Sequence, residues 1–357
     1  MAGRADMSAS MPTWQSQPLQ RALSALAQGK LGHATLITGP EHLGQAVLAR
    51  ALAQRLLCSV ADGAAPACGA CRACMQTCEL AQRPSCSNAK GNEPACGQCR
   101  GCVDARASRH ADLRIVTLEI NEKTEKLRGE ITIEQIRNLS EWLALTSQQG
   151  GAQVVIIEAA DLLNRNAANA LLKTLEEPSP GRYVFLATSR PQRLPATIRS
   201  RCQNIALRLP ERAAALDWLI AHGHDREQAA LALTAARGNP GVADRWLGDG
   251  TLATRKAVHS ELTAVAQGSM GALALAERWA KDEPLPLRLA LAADFAALLS
   301  ARLATGEALP TPAPDRQRLA LWFDQTNACR ELLSTTVRSD LALVPLLVAW
   351  RAVFAQG

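Results

Sequence analysis

A short apolar run, Ala34-Thr-Leu-Ile-Thr38, leads straight into Gly39-Pro-Glu-His-Leu-Gly44, and an amphipathic stretch from Gln45 to Leu57 follows. A buried strand, a glycine loop of G-x-x-x-x-G spacing and a helix, in that order, make the setting of a phosphate-binding loop. The arrangement restricts the fold. Parallel strands are joined by helical crossovers, so strands and helices must alternate downstream. The same segment lacks the residues that do the loop's chemistry. A working loop continues with Lys, which reaches the β/γ-phosphates, and then Ser or Thr, whose hydroxyl holds Mg²⁺. Those positions are Gln45 and Ala46. Gln is neutral and Ala has no oxygen, so ATP hydrolysis by this chain is not expected.

The expected alternation follows. Leu19 to Gln28 has apolar residues at helical spacing and stops at Gly29, a natural helix end. Leu113 to Leu118 reads as a strand, and Thr132 to Leu145 as a helix with Ile133, Ile136, Leu139, Trp142 and Leu143 on one face. Val154-Val-Ile-Ile157 is apolar throughout, as a parallel strand buried on both faces must be. Asn164 to Glu177 reads as a helix ended by Pro178, and Tyr183 to Ala187 as another buried strand. After about residue 208 strand signals vanish. Pro210 to His222 and Glu227 to Arg237 read as helices, broken at Gly238-Asn-Pro-Gly241; Leu/Ala-rich helices then run from 252 to the end, with a break at Pro310–Pro314. The reading is α/β then all-α: an α/β core over 1–207, a small helical domain over 208–250 and a helical bundle over 251–357. One Tyr and four Phe in 357 residues suit such an aliphatic, mainly helical chain.

No run approaches the roughly 18 apolar residues that span a bilayer, and the N-terminus lacks the apolar core of a secretory signal. A cytoplasmic protein without membrane contact is expected. Residues 1–10 read as an extension, with Met7 and Met11 as alternative starts. The net charge of +6 is mild. It is compatible with an acidic partner such as DNA, but most of it reads as solvated surface.

Nine of the eleven cysteines lie between 58 and 102. Cys58, Cys68, Cys71 and Cys74 read C-x9-C-x2-C-x2-C; Cys86, Cys96, Cys99 and Cys102 read the same, shifted by 28 residues. Ala67-Cys-Gly-Ala-Cys-Arg-Ala-Cys74 repeats as Ala95-Cys-Gly-Gln-Cys-Arg-Gly-Cys102, a tandem duplication. A C-x2-C step turns two thiolates toward one tetrahedral ion, and four thiolates with no open position describe a structural zinc site. Disulfides are disfavoured in a cytosolic chain. Two quartets predict two structural Zn²⁺, one per repeat; a single ion would mean a vestigial copy or ligands mixed across copies. Cys78 is a spare in this region. Cys202 and Cys329, far away, read as ordinary thiols. His33 and His110 read as packing or capping residues.

Two further motifs are specific. Asn169-Ala-Leu-Leu-Lys-Thr-Leu-Glu-Glu-Pro178, followed by Leu194-Pro-Ala-Thr-Ile-Arg-Ser-Arg-Cys202, closely resembles bacterial clamp-loader subunits, the AAA+ proteins of the DNA polymerase III holoenzyme. A cysteine-rich insertion after the first core helix resembles the same family. The resemblance implies an AAA+ core with a zinc-binding insertion, a helical lid and a C-terminal helical collar. It implies partners as well: gamma/tau and delta subunits in a hetero-pentamer, and through them the sliding clamp and primed DNA.

Within that family the site residues imply a subunit without ATPase activity. Gln45 replaces the lysine. Glu158-Ala-Ala-Asp161 stands where Asp-Glu-x-x would: Glu158 keeps a carboxylate, and Ala159 replaces the residue that orients the attacking water. Gly241 stands at the position of a sensor arginine. Thr188 or Ser189 occupies a sensor-like position after its strand. What survives is Ser200-Arg201-Cys202, which matches the family's arginine finger, with Arg201 reaching a neighbouring subunit's ATP. No cofactor is expected at the loop residues Gly39, Gly44, Gln45 and Ala46 beyond a weakly held anion. Two other readings are an ATP-hydrolysing motor subunit with an unusual loop, and a zinc-dependent nucleic-acid-binding module. The second has basic residues (Arg72, Arg100, Arg106, Arg109) but lacks aromatic platforms between 58 and 110.

Overall fold

The computed structural model describes residues 11–58, 95, 97–121, 125–149, 151–177, 179–281, 285–308, 313–333 and 338–354. Cys68, Cys71, Cys74, Cys78, Cys86, Cys96 and Pro178 lie outside the described residues. The chain divides into two compact units, Met1–Asp244 and Arg245–Gly357.

The first unit is built on a five-stranded sheet. Its strands are β1 (Ala34–Thr38), β2 (Leu113–Val116), β3 (Gln153–Ile157), β4 (Arg182–Thr188) and β5 (Gln203–Ala206), in the order β2-β3-β4-β1-β5. Every pairing is parallel. All five residues of β1 and of β3 are buried, because helices cover both faces. Alternation along β3 splits its side chains between two cores. Val154 and Ile156 pack with α1 (Thr13–Ala27), α2 (Gln45–Leu56) and α3 (Arg100–Arg106), around Leu23, Leu48, Leu52 and Ala105. Val155 and Ile157 pack with α4 (Ile133–Ala144), α5 (Arg165–Glu176) and the short α6 (Ala196–Arg199), around Ile136, Leu139, Leu171 and Ile198.

The α/β part matches the sequence reading except at α1, at β5 and at the short helices α3 and α6, which the reading left out. Helix α1 starts at Thr13, ahead of the expected Leu19, and takes Pro18 into its first half. Strand β5 carried no apolar signal. Its four residues are exposed or half-buried, since it is an edge strand, and it is held by parallel pairing to β1.

Three helices complete the unit: α7 (Arg212–Ala221), α8 (Arg226–Ala235) and the start of α9 (Pro240–Gly248). The Gly238–Gly241 segment separates α8 from α9, yet Pro240 and Gly241 already belong to the new helix. Asn239 begins it, its Oδ1 accepting from the Gly241 and Val242 amides at 3.1 and 3.2 Å. Residues 208–244 thus share a unit with the sheet.

The second unit is helical, with α10 (Thr251–Ala266), α11 (Ala272–Lys281), α12 (Leu285–Thr305), α13 (Arg316–Leu332) and α14 (Ser339–Val353). Trp279, Trp322 and Trp350 are fully buried in its core. Each indole N–H is satisfied, by Glu261 Oε2 (2.6 Å), the Leu346 carbonyl (2.8 Å) and the Leu262 carbonyl (2.7 Å) respectively. No helix among the described residues is long and apolar enough to cross a membrane.

Candidate functional site

The loop between β1 and α2 is occupied by its own chain. Gln45, at the position of the phosphate-binding lysine, folds back, and its Nε2 donates to the carbonyls of Gly39 (2.6 Å) and Pro40 (2.7 Å). An amide N–H serves that purpose, and two loop carbonyls are satisfied without a ligand. From the other side, Gln15 Nε2 and Trp14 Nε1 of α1 both donate to the Leu43 carbonyl, at 2.9 and 3.3 Å.

The start of α9 closes over the loop. Asn239 Nδ2 donates to the Glu41 carbonyl at 2.8 Å. A Cβ at Gly241 would collide with the His42 carbonyl oxygen. The position expected for a sensor arginine therefore lies against the loop backbone, where any side chain is excluded.

The carboxylates are paired as well. Arg50 of α2 holds Glu158 by two nitrogens, Nη2 at 2.7 Å and Nε at 2.9 Å. Ala159 has left-handed backbone (φ 55°), and Asp161 accepts from Thr188 Oγ1 at 2.7 Å. Gln45, Ala46, Ala159, Thr188 and Arg190 line a cleft of about 300 Å³. The structure thus gathers the loop, Glu158, Ala159, Thr188 and Gly241 at the carboxyl ends of β1, β3 and β4. The cations and hydroxyl that would manage a triphosphate and Mg²⁺ are replaced or otherwise engaged.

Arg201 stands on a different surface, after α6. Its Nη2 pairs with Glu176 Oε1 at 2.6 Å and its Nη1 donates to the Thr197 carbonyl at 3.0 Å. The side chain stays 37% exposed, so the guanidinium is parked at the surface rather than buried. Ser200 Oγ also donates to Thr197, at 3.1 Å. Burial pushes the Cys202 thiol up to about 11, which makes it an inert packing group.

The cysteines give a third locality. Cys58, just past α2, meets Cys99 and Cys102 at the start of α3; the three sulfurs lie within 4.8 Å of one another, and all three residues are buried. Cys58 and Cys99 Sγ atoms are 3.8 Å apart. Zn–S bonds of about 2.3 Å at tetrahedral angles set the sulfurs about 3.8 Å apart, whereas a disulfide needs about 2.05 Å. The trio fits three corners of a tetrathiolate metal site. The grouping crosses the two sequence quartets: Cys58 belongs to the first, Cys99 and Cys102 to the second. His110 is buried nearby, its Nδ1 accepting from the Asp112 amide at 3.1 Å. Burial lowers its pKa, partly offset by Asp112 and Asp104.

Comparison with known proteins addresses the family rather than the individual site residues. A family model described as DNA polymerase III, delta subunit, matches residues 14–79 and 75–211. A DNA polymerase III subunit delta' of Pseudomonas aeruginosa is 35% identical over 274 residues, covering 76% of this chain and 73% of the relative. The chain belongs to the DNA polymerase III delta' family. The delta' subunit of Escherichia coli is 32% identical, covering 67% of this chain and 63% of its own length. A tau subunit of Escherichia coli is more distant, 29% identical over 54% of this chain and 24% of its own length.

The residues missed in the sequence are the ones that fill the site. Gln15 and Trp14 carried no motif. Arg50 had no signal beyond its place on α2, one turn past the loop. Asn239 followed by Pro240 is a helix-start pattern and was open to reading as one.

Proposed function

We propose that this chain is the clamp-loader subunit that binds no ATP of its own and serves a neighbour's site. The carrying observation is Gln45 hydrogen-bonded into its own loop, with Arg201 retained at the surface. In this reading the first unit is an AAA+ core, residues 208–250 a lid and residues 251–357 a collar that binds other loader subunits. The partners are gamma/tau and delta subunits, and the assembly places the sliding clamp on primed DNA in the cytoplasm.

Arg201 acts as the arginine finger. A guanidinium keeps its charge and offers planar donors to the γ-phosphate as charge develops on it. Glu176 holds it extended until a neighbour's phosphate, carrying more charge, draws it away. Ser200 and Cys202 fix the turn that presents it.

Cys58, Cys99 and Cys102 would hold a structural Zn²⁺, with a fourth thiolate from elsewhere in the cysteine-rich segment. When bound, the ion cross-links α2 to α3 and leaves no open position for catalysis.

Reconstitution of the loader with Arg201→Ala tests the finger. ATPase stimulated by clamp and primed DNA falls at least about tenfold at the site the finger serves, while assembly measured by gel filtration is unchanged. Arg201→Lys does not restore it, because a point charge lacks the planar fork. Unaltered ATPase in the alanine variant would remove this assignment.

A further inference from the structure

The sequence repeat and the thiol cluster disagree about which cysteines share a site. In linear spacing, Cys58 opens the first copy and Cys86 the second: Cys58-Ser59-x-Ala61-x-Gly63-x-x-Pro66-Ala67-Cys68 matches Cys86-Ser87-x-Ala89-x-Gly91-x-x-Pro94-Ala95-Cys96. In the fold, Cys58 lies against Cys99 and Cys102 of the second copy. We infer that the metal site is nested across the duplication, with Cys58 taking the place that linear spacing gives to Cys86. This rests on the metal-site reading above.

Why the second copy docks is legible at one residue. Helices α2 and α3 meet backbone to backbone. Gln54 Nε2 donates to the Cys102 carbonyl at 3.2 Å, and a Cβ at Gly101 would collide with the Leu57 carbonyl oxygen. Only glycine permits that approach. The first copy carries Ala73 at the matching position, between Cys71 and Cys74. An alanine there cannot be seated against Leu57 in this way, so the C-x2-C step that reaches Cys58 has to be the one containing Gly101. The N-cap supports the same geometry: Cys99 Sγ accepts from the Cys102 amide at 3.4 Å, which aims the sulfur back at the end of α2.

The arrangement has a consequence for single substitutions that linear pairing reverses. Zinc content is measured on the full chain purified without chelator, and the reactivity of Cys99 and Cys102 toward iodoacetamide is followed by peptide mass spectrometry. In the parent chain both thiols are protected, and a chelator exposes them. Cys58→Ser exposes both, by at least about tenfold in rate, since a thiolate held by metal is shielded from attack. Cys86→Ser leaves both protected. Gly101→Ala, which makes the second copy like the first, exposes them as Cys58→Ser does. If Cys86→Ser exposes Cys99 and Cys102, or Gly101→Ala leaves them protected, the nesting is wrong while the metal stands. A chain that carries no zinc, whatever its variants do, ends the metal reading itself.

Discussion

At the scale of the residue, this protein ties its glycine loop down with its own side chains. Gln45 supplies two hydrogen bonds to loop carbonyls, and Arg50 neutralises Glu158. Gln45 and Glu158 sit where a nucleotide-binding relative would present Lys and a metal-binding carboxylate. Gln45→Ala leaves two carbonyls without their donor. A loss of about 1–2 kcal/mol in unfolding free energy is expected from urea titration. Gln45→Lys alone does not create Mg²⁺-ATP binding detectable by equilibrium dialysis, because Ala46 and Ala159 still offer no oxygen. Saturable micromolar binding by that variant would show that the remaining substitutions are passive. Arg201 is different in kind: its ion pair with Glu176 is half exposed, so solvent weakens it and the arginine can exchange partners.

At the scale of the element, what could be read from the chain was what had periodicity. The strand 34–38, the run 154–157 and the helices 132–145 and 164–177 were legible because buried faces force an apolar pattern. Strand β5 was not, since Gln203 and Asn204 face outward at the sheet edge. Their contribution is polar: Gln203 Oε1 accepts from the Gly32 amide at 2.8 Å, and Asn204 Oδ1 from Thr38 Oγ1 at 3.1 Å. Helix α9 was hidden for the opposite reason. Its first residues, Pro240 and Gly241, look like a breaker, while their role is a tight seat on the loop. Gly241→Ala should lift α9 from residues 39–44. Overpacking at such a contact costs about 1–3 kcal/mol, and amide hydrogen exchange of the loop should rise. Unchanged exchange would mean that the α9 contact does not hold the loop. The cysteine trio was legible as residue types and spacing only. Which copy meets Cys58 depends on a backbone approach at Gly101, and spacing carries no record of it.

At the scale of the whole molecule, each unit buries a histidine whose pKa burial lowers, His110 in the first and His259 in the second. His259 of the second unit stacks on Phe295, with ring centroids 4.2 Å apart. Burial first, then Arg255, pushes its pKa down from 6.5 to about 4, with Asp294 opposing. The folded chain therefore binds fewer protons there than the unfolded chain between those values. Stability held by the neutral ring is full above about 6.5 and declines as pH falls toward 4. His259→Gln, which cannot protonate, should flatten that part of the acid dependence in thermal melts followed by circular dichroism; an identical slope would place the proton uptake elsewhere.

The seam between α2 and α3 also says what a repeat inserted there costs in chain entropy. Cys58 and Cys99 are 41 residues apart, against 13 without the 28-residue repeat. Loop closure grows only with the logarithm of length, so tripling the connection costs about 1 kcal/mol. A segment whose two ends are already stapled can lengthen at small expense, and a second copy of a module is tolerated there far more readily than within a strand of the sheet.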